Sequence, residues 1–266
     1  MKIAILSIVF LVASKMITYG QDQKQPKFCL YLGSGLIQHT TNDQLVNYFN
    51  YAGKALMPFS LSGTYFQNKN LFTLNLLYQT ARLSPLDLPN NYYDFNYIQH
   101  RNFEISIEYF HEIVKVNEYV KAYIGINNSS YMTMQKENYK SLLFEYAEGY
   151  RKSSDISAIT LFPMLLINYR IKKNNLSIKT GFSLLHYGAR PDDNYVKQVG
   201  FPEGFYWRLY GPKNFKSFIL SAIYQYEVFR GFGVTTGYSM HYRTFTLPDN
   251  YKYLQSSFLA GIFKSF

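Results

Sequence analysis

Residues 218–240 read FILSAIYQYEVFRGFGVTTGYSM. Folded back at Phe229-Arg230-Gly231, where glycine supplies the left-handed residue that a three-residue hairpin needs, the stretch sorts into two faces. Phe218, Leu220, Ala222, Tyr224, Tyr226 and Val228 fall beside Phe232, Val234, Thr236, Tyr238 and Met240. Behind them come Ser221, Gln225, Glu227, Gly233, Thr235, Gly237 and Ser239, and the polar face runs on through His241 and Arg243. A period of two sustained over both arms predicts a β-hairpin with one apolar and one polar face.

The same folding-back succeeds at three other places. Around Gln67-Asn68-Lys69-Asn70, Met57, Phe59, Leu61 and Tyr65 share a face with Phe72, Leu76, Tyr78 and Thr80; Ser60, Ser62, Thr64, Thr73 and Asn75 take the other. Around Val116-Asn117, Phe103, Ile105, Ile107 and Tyr109 meet Val120, Ala122, Ile124 and Ile126. Their reverse face carries Glu104, Glu108 and Glu112, with Glu112 expected directly across from Lys121 and Gly125 across from Glu108. The third hairpin, turning at Ile171 to Asn174, sets Leu161, Leu165, Ile167 and Tyr169 beside Leu176, Ile178, Phe182 and Leu184, with Gly181 opposite Met164. The two glycines read as room for large side chains across the sheet.

A first strand near 28–37 and a last near 251–266 bring the number to ten. Short turns alternate with longer connections over roughly residues 39–54, 82–101, 129–154 and 187–214, plus a tight one at Leu247-Pro248-Asp249-Asn250. The first twenty residues, MKIAILSIVFLVASKMITYG, have a lysine, an apolar run and small residues near the end, which predicts a signal peptide over 1–20 and one domain over 21–266. The apolar run is shorter than the about 20 residues a spanning helix needs.

Tyrosine and phenylalanine contribute 27 and 22 residues, and aromatic rings favour strands and membrane interfaces. The formal charge of +10 loses two units with Lys2 and Lys15, and what remains looks dispersed along the chain. A nucleic-acid partner would want a clustered basic stripe. The lone Cys29 has no partner for an internal disulfide.

An even strand number, short turns on one side, long loops on the other, tyrosines near the short turns (65, 109, 119, 169 and 226) and a terminal phenylalanine point one way. They predict an all-β fold: a transmembrane antiparallel up-and-down β-barrel of about ten strands, with short periplasmic turns and long extracellular loops. In hydrocarbon every backbone N–H and C=O must be paired, and a sheet achieves that only by closing on itself. A soluble β-sandwich or lipocalin-like barrel shares the alternation but not this distribution of turns and tyrosines.

Over nearly its whole length the chain resembles bacterial outer-membrane β-barrel proteins. The resemblance implies an outer-membrane location, contact with outer-membrane lipid and lipopolysaccharide, and a C-terminal Phe266 that serves as the signal read by the barrel-assembly machinery.

The inward face then holds a charged network of Glu104, Glu108, Glu112, Lys121, Lys179, Glu227, His241 and Arg243, which can fill a narrow bore or line a solute path. Tyr92, Tyr93, Tyr206 and Trp207 sit on aromatic loop stretches suited to an unnamed extracellular ligand. His39, His100 and His186 are expected at the rim as solvated loop ends, outside the aspartate and histidine spacing of omptin proteases. In lipid A deacylases a serine follows the histidine by two residues; here Gly188 follows His186. No metal-ligand spacing, phosphate loop or cofactor motif is present, so neither metal nor cofactor is expected. The expected role is a non-enzymatic envelope barrel, structural, surface-binding or porin-like with restricted solute passage; the alternative is an enzyme acting on lipid A or peptide at the rim.

Overall fold

The computed structural model describes residues 28–43, 50–86, 97–117, 119–140, 148–191, 205–246 and 251–266. The expected signal peptide, Tyr92, Tyr93 and the 247–250 connection lie outside them. In chain order the strands are β1 (Phe28–Asp43), β2 (Asn50–Leu56), β3 (Phe59–Gln67), β4 (Asn70–Pro85), β5 (Tyr97–Lys115), β6 (Val120–Lys140) and β7 (Glu148–Ile171). There follow β8 (Asn174–Phe182), β9 (Leu185–Pro191), β10 (Phe205–Tyr210), β11 (Phe215–Phe229), β12 (Phe232–Phe245) and β13 (Tyr251–Ser265).

These segments build ten staves, because three staves are each split in two. β2 and β3 are successive partners of β1 and β4, parted at Met57, whose φ of 54° turns the chain just before Pro58. β8 and β9 both pair with β7. β10 pairs with β9, and after an excursion over Gly211–Asn214 the chain descends as β11 beside β8. The ring closes between first and last strands, in unbroken register from Cys29↔Ser265 to Asp43↔Tyr251.

The expected faces are observed. Leu32, Phe59, Ile107, Ile124, Val234 and Phe258 are exposed on the outside, whereas Thr73, Glu108, Asn127, Ser221 and Thr235 are buried within. A sheet wrapped around polar groups, with an apolar exterior, inverts the soluble barrel and suits hydrocarbon outside. Tyr109, Tyr119, Tyr169 and Tyr226 are exposed near the short turns, where an interfacial girdle belongs.

Several details of register differ from the sequence reading. The β5–β6 ladder begins at Lys115↔Lys121, further along the chain than a fold at Val116-Asn117 would set it, and a bulge follows between Glu112 and Val114, so Glu112 faces Tyr123 rather than Lys121, and Gly125 faces Phe110 rather than Glu108. The shift is an even number of residues, which preserves the faces while changing the partners. Gly181 does face Met164. A Cβ at Gly125 would run into the Tyr109 carbonyl and the Phe110 ring, and one at Gly181 into the Met164 sulfur. The turn after β11 has two residues, not three: Arg230 and Gly231 both take positive φ, with Phe229 paired to Phe232 and a bulge beside Glu227. The long connections are shorter than expected, since β6 and β7 remain paired up to Lys140↔Glu148. Above the lipid belt both faces of a strand are wet, so the two-residue alternation fades although the ladder continues.

Candidate functional site

The inward faces of the ten staves meet in the bore, where opposite charges find one another. Lys179 Nζ lies 2.6 Å from Glu108 Oε1, Lys121 Nζ 2.9 Å from Glu112 Oε2, and Arg243 Nη2 3.0 Å from Glu104 Oε2. Lys121 thus reaches Glu112 diagonally across the bulge. Glu227 accepts from the Gly231 amide at 2.8 Å, fastening the periplasmic turn, and joins none of these pairs.

Arg243 anchors a layer that crosses the bore toward the extracellular end. Its side chain is only 3 % exposed, and its guanidinium stacks 3.8 Å from the centroid of Tyr131. A charge so buried needs both an ion partner and hydrogen bonds. Ser129 Oγ donates to Glu104 Oε1 (2.8 Å), while Ser217 Oγ and Arg243 Nε both approach His241 Nε2, at 2.8 and 3.1 Å. Beside this, Tyr253 donates to Gln255 Oε1 (2.8 Å), and Gln79 Nε2 donates to the same oxygen (3.0 Å). With its one proton so directed, the Tyr253 hydroxyl can only accept from His39 Nδ1, 2.9 Å away. His100 packs against His39, ring centroids 4.9 Å apart.

An aromatic collar formed by Tyr210, Phe215, Phe245, Tyr251 and Tyr253 accompanies this layer. His186 stacks 4.1 Å from Phe215 and edges onto Phe245. The three histidines expected at the rim are therefore inside the bore and fully buried: each points inward on its strand, and the strands run higher than the sequence alternation suggests. His186 does have hydroxyl neighbours, Thr160 Oγ1 at 2.9 Å and Ser157 Oγ at 3.5 Å from Nδ1. They come from β7 across the sheet, a relation that spacing along the chain cannot disclose.

Below the Arg243 layer the bore opens into a cavity of about 310 Å³, bounded above by Glu104, His241 and Gln255. A second cavity of about 190 Å³ lies at the periplasmic turns. Both have Cys29, Phe66, Asn168, Asn175 and Gln225 in their walls, so they follow one another along the bore. Sequence reasoning missed these chambers; their only trace was the run of Ser, Thr and Asn on the inward faces of β3, β4 and β8.

Of the loop candidates, Trp207 is on β10 rather than in a loop, exposed and 5.3 Å from the Tyr187 ring. Tyr206 is on the same strand, paired with Arg190. Phe266 donates its amide to the Phe28 carbonyl (2.8 Å), and the two rings stack 6.1 Å apart. Among the described residues no cluster of three or more His, Cys, Asp or Glu could hold a metal ion.

No protein-family model matches the chain, and no curated protein does. Solved structures of similar shape include the outer membrane protease OmpT from Escherichia coli, at 10 % identity and a TM-score of 0.49, covering 90 % of this chain and 95 % of that one. The translocator domain of the autotransporter NalP from Neisseria meningitidis has 8 % identity and a TM-score of 0.47, covering 99 % and 98 %. The attachment invasion locus protein Ail of Yersinia pestis has 10 % identity and a TM-score of 0.35, covering 89 % and 99 %. On its own geometry, a closed ten-stave sheet with an apolar exterior and a polar bore, the chain is an outer-membrane β-barrel protein.

Proposed function

We propose that this protein is a sealed, non-enzymatic barrel of the outer membrane, structural or ligand-binding rather than an open pore. The observation that carries the reading is the buried Arg243–Glu104 layer, with Tyr131, Tyr253, His39 and His100 packed around it. A ten-stave bore is narrow, far below the 16–18 staves that leave a wide aqueous channel, and here side chains meet across it. The proposed partners are outer-membrane lipid and lipopolysaccharide around the belt, the barrel-assembly machinery at Phe266, and an extracellular ligand at Trp207 and its neighbours. Purified protein in planar bilayers is expected to be silent; stepwise conductance would overturn the sealed reading.

The alternative, an enzyme acting on lipid A or peptide, has one observation in its favour, the Thr160 and Ser157 hydroxyls beside His186. The imidazole is 2 % exposed and covered by Phe215 and Phe245, which leaves no approach for an acyl chain or a peptide. Lipid A deacylation lost on His186→Ala would reverse this preference.

A further inference from the structure

We infer that the periplasmic half of the bore is a blind cup that binds a small polyhydroxylated anion, a sugar acid or sugar phosphate, acid group at the mouth and hydroxyls deeper in. The inference rests on the sealed reading only for the word blind; the binding site stands on its own walls.

The mouth is cationic. Among the described residues, Lys121, Arg170, Lys172 and Lys173 line the periplasmic cavity, with Glu227 as the carboxylate in its wall. Glu112 neutralises Lys121, and Glu227 is engaged by the Gly231 amide. Among the described residues Arg170 and Lys172 have no carboxylate partner. A low-dielectric rim bearing one sign of charge concentrates the opposite ion.

Deeper in, the wall changes character. Ser62, Thr64, Asn75, Asn127, Ser177 and Ser221 present hydroxyls and amides to the larger cavity, beside the ion-paired Lys179 and Glu108. Three polar atoms on this wall, Asn127 Oδ1, Asn168 Oδ1 and Ser221 Oγ, are buried without a hydrogen-bond partner. A buried polar atom left unsatisfied is costly, and a guest bringing hydroxyls would relieve that cost when these side chains turn toward the cavity. The cavity of about 310 Å³ lies within the range of ligand sites. The chain's own residues 21–27, QDQKQPK, are a poor occupant: Lys24 and Lys27 outweigh the one acid, Asp22, so the segment carries a net positive charge, the wrong sign for this mouth.

Cys29, the single cysteine, lines both cavities and reports on the cup without mutation. In detergent-solubilised full-length protein, an anionic methanethiosulfonate (sulfonatoethyl) should modify Cys29 about tenfold faster than a cationic one (trimethylammonioethyl), and salt should erase the difference. Lys172→Glu with Arg170→Glu should reverse the order; should that variant fail to fold, the salt dependence of the native protein decides alone. Glucuronate and glucose 6-phosphate should each slow the modification several-fold, with glucose and sulfate ineffective. Equal rates for the two reagents would overturn the cationic mouth. Protection by sulfate as strong as by the sugars, or by none of the four, would overturn the ligand class. Faster labelling after removal of residues 21–25 would identify that segment as the occupant and end the proposal. A bilayer conductance with the Cys29 results intact would remove the seal and leave the site.

Discussion

At the scale of single residues, the buried pair of Arg243 and Glu104 carries the most consequence. Removing one member strands a charge in the bore, which costs about 3–5 kcal/mol, whereas replacing both by apolar groups of similar volume is near neutral. Arg243→Met should therefore lower the unfolding midpoint markedly in urea titrations in lipid vesicles, and Arg243→Met with Glu104→Leu should restore most of it. A double variant no better than the single would mean that stacking on Tyr131 dominates over charge. Gly181 offers a second test: Gly181→Val pushes into Met164 and should cost about 1–3 kcal/mol, and adding Met164→Ala should recover part of that. Inward charges and the Gly181–Met164 pairing were legible in the sequence because alternation fixes the face of every residue. Partners across the bore were not: Lys179 and Glu108 are 71 residues apart, and no local pattern reports a distance between strands that never touch.

Among elements, the seam between β1 and β13 is the place where the barrel closes. Cys29 and Ser265 are direct partners there, so Ser265→Cys should form a disulfide with the native thiol under oxidation, since paired residues of antiparallel strands lie within disulfide reach. A faster-migrating, reducible band on boiled, denaturing gels would register it; two free thiols in folded protein would contradict the closure. The pairing of Tyr238, Thr236 and Val234 with Phe258, Ala260 and Ile262 follows directly from folding the sequence about Pro248, and the structure has it residue for residue. Lys264, outward on the last strand, extends its amine to the Arg230 carbonyl at 2.9 Å, as a snorkelling lysine should. Phe266→Ser should reduce the yield of inserted barrel, measured as the heat-modifiable fraction; unchanged assembly would deny the residue its signal role. Bulges and breaks were beyond sequence reading: nothing in the residues around Ile113 or Ser183 distinguishes a shifted ladder from a regular one.

The whole molecule is a tube with two unlike halves, packed by the Arg243–Glu104 pair and aromatic rings toward the outside and hollow toward the periplasm, where the other two charge pairs stand in the walls. Fold and setting were legible because hydrocarbon imposes a strict pattern on everything it touches. The contents of the bore answer to no such external constraint, and only three-dimensional packing reveals them. In planar bilayers the native protein should stay silent, whereas Arg243→Ala with Tyr253→Ala, which removes two side chains from the sealing layer, should admit small ions. Silence in that variant would place the seal elsewhere, at the aromatic collar.

The wall is also uneven in height. β6 and β7 run 21 and 24 residues, whereas β13 and β1 across the ring have 15 and 16, and a membrane crossing takes about 9–11. At about 3.3 Å per residue the β6–β7 hairpin follows a path some 20 Å longer than its opposite side. To anything arriving from outside the cell, the protein is a parapet with one high wall. A peptide tag grafted between Lys140 and Glu148 should be read by antibody on intact cells more strongly than the same tag grafted between β12 and β13.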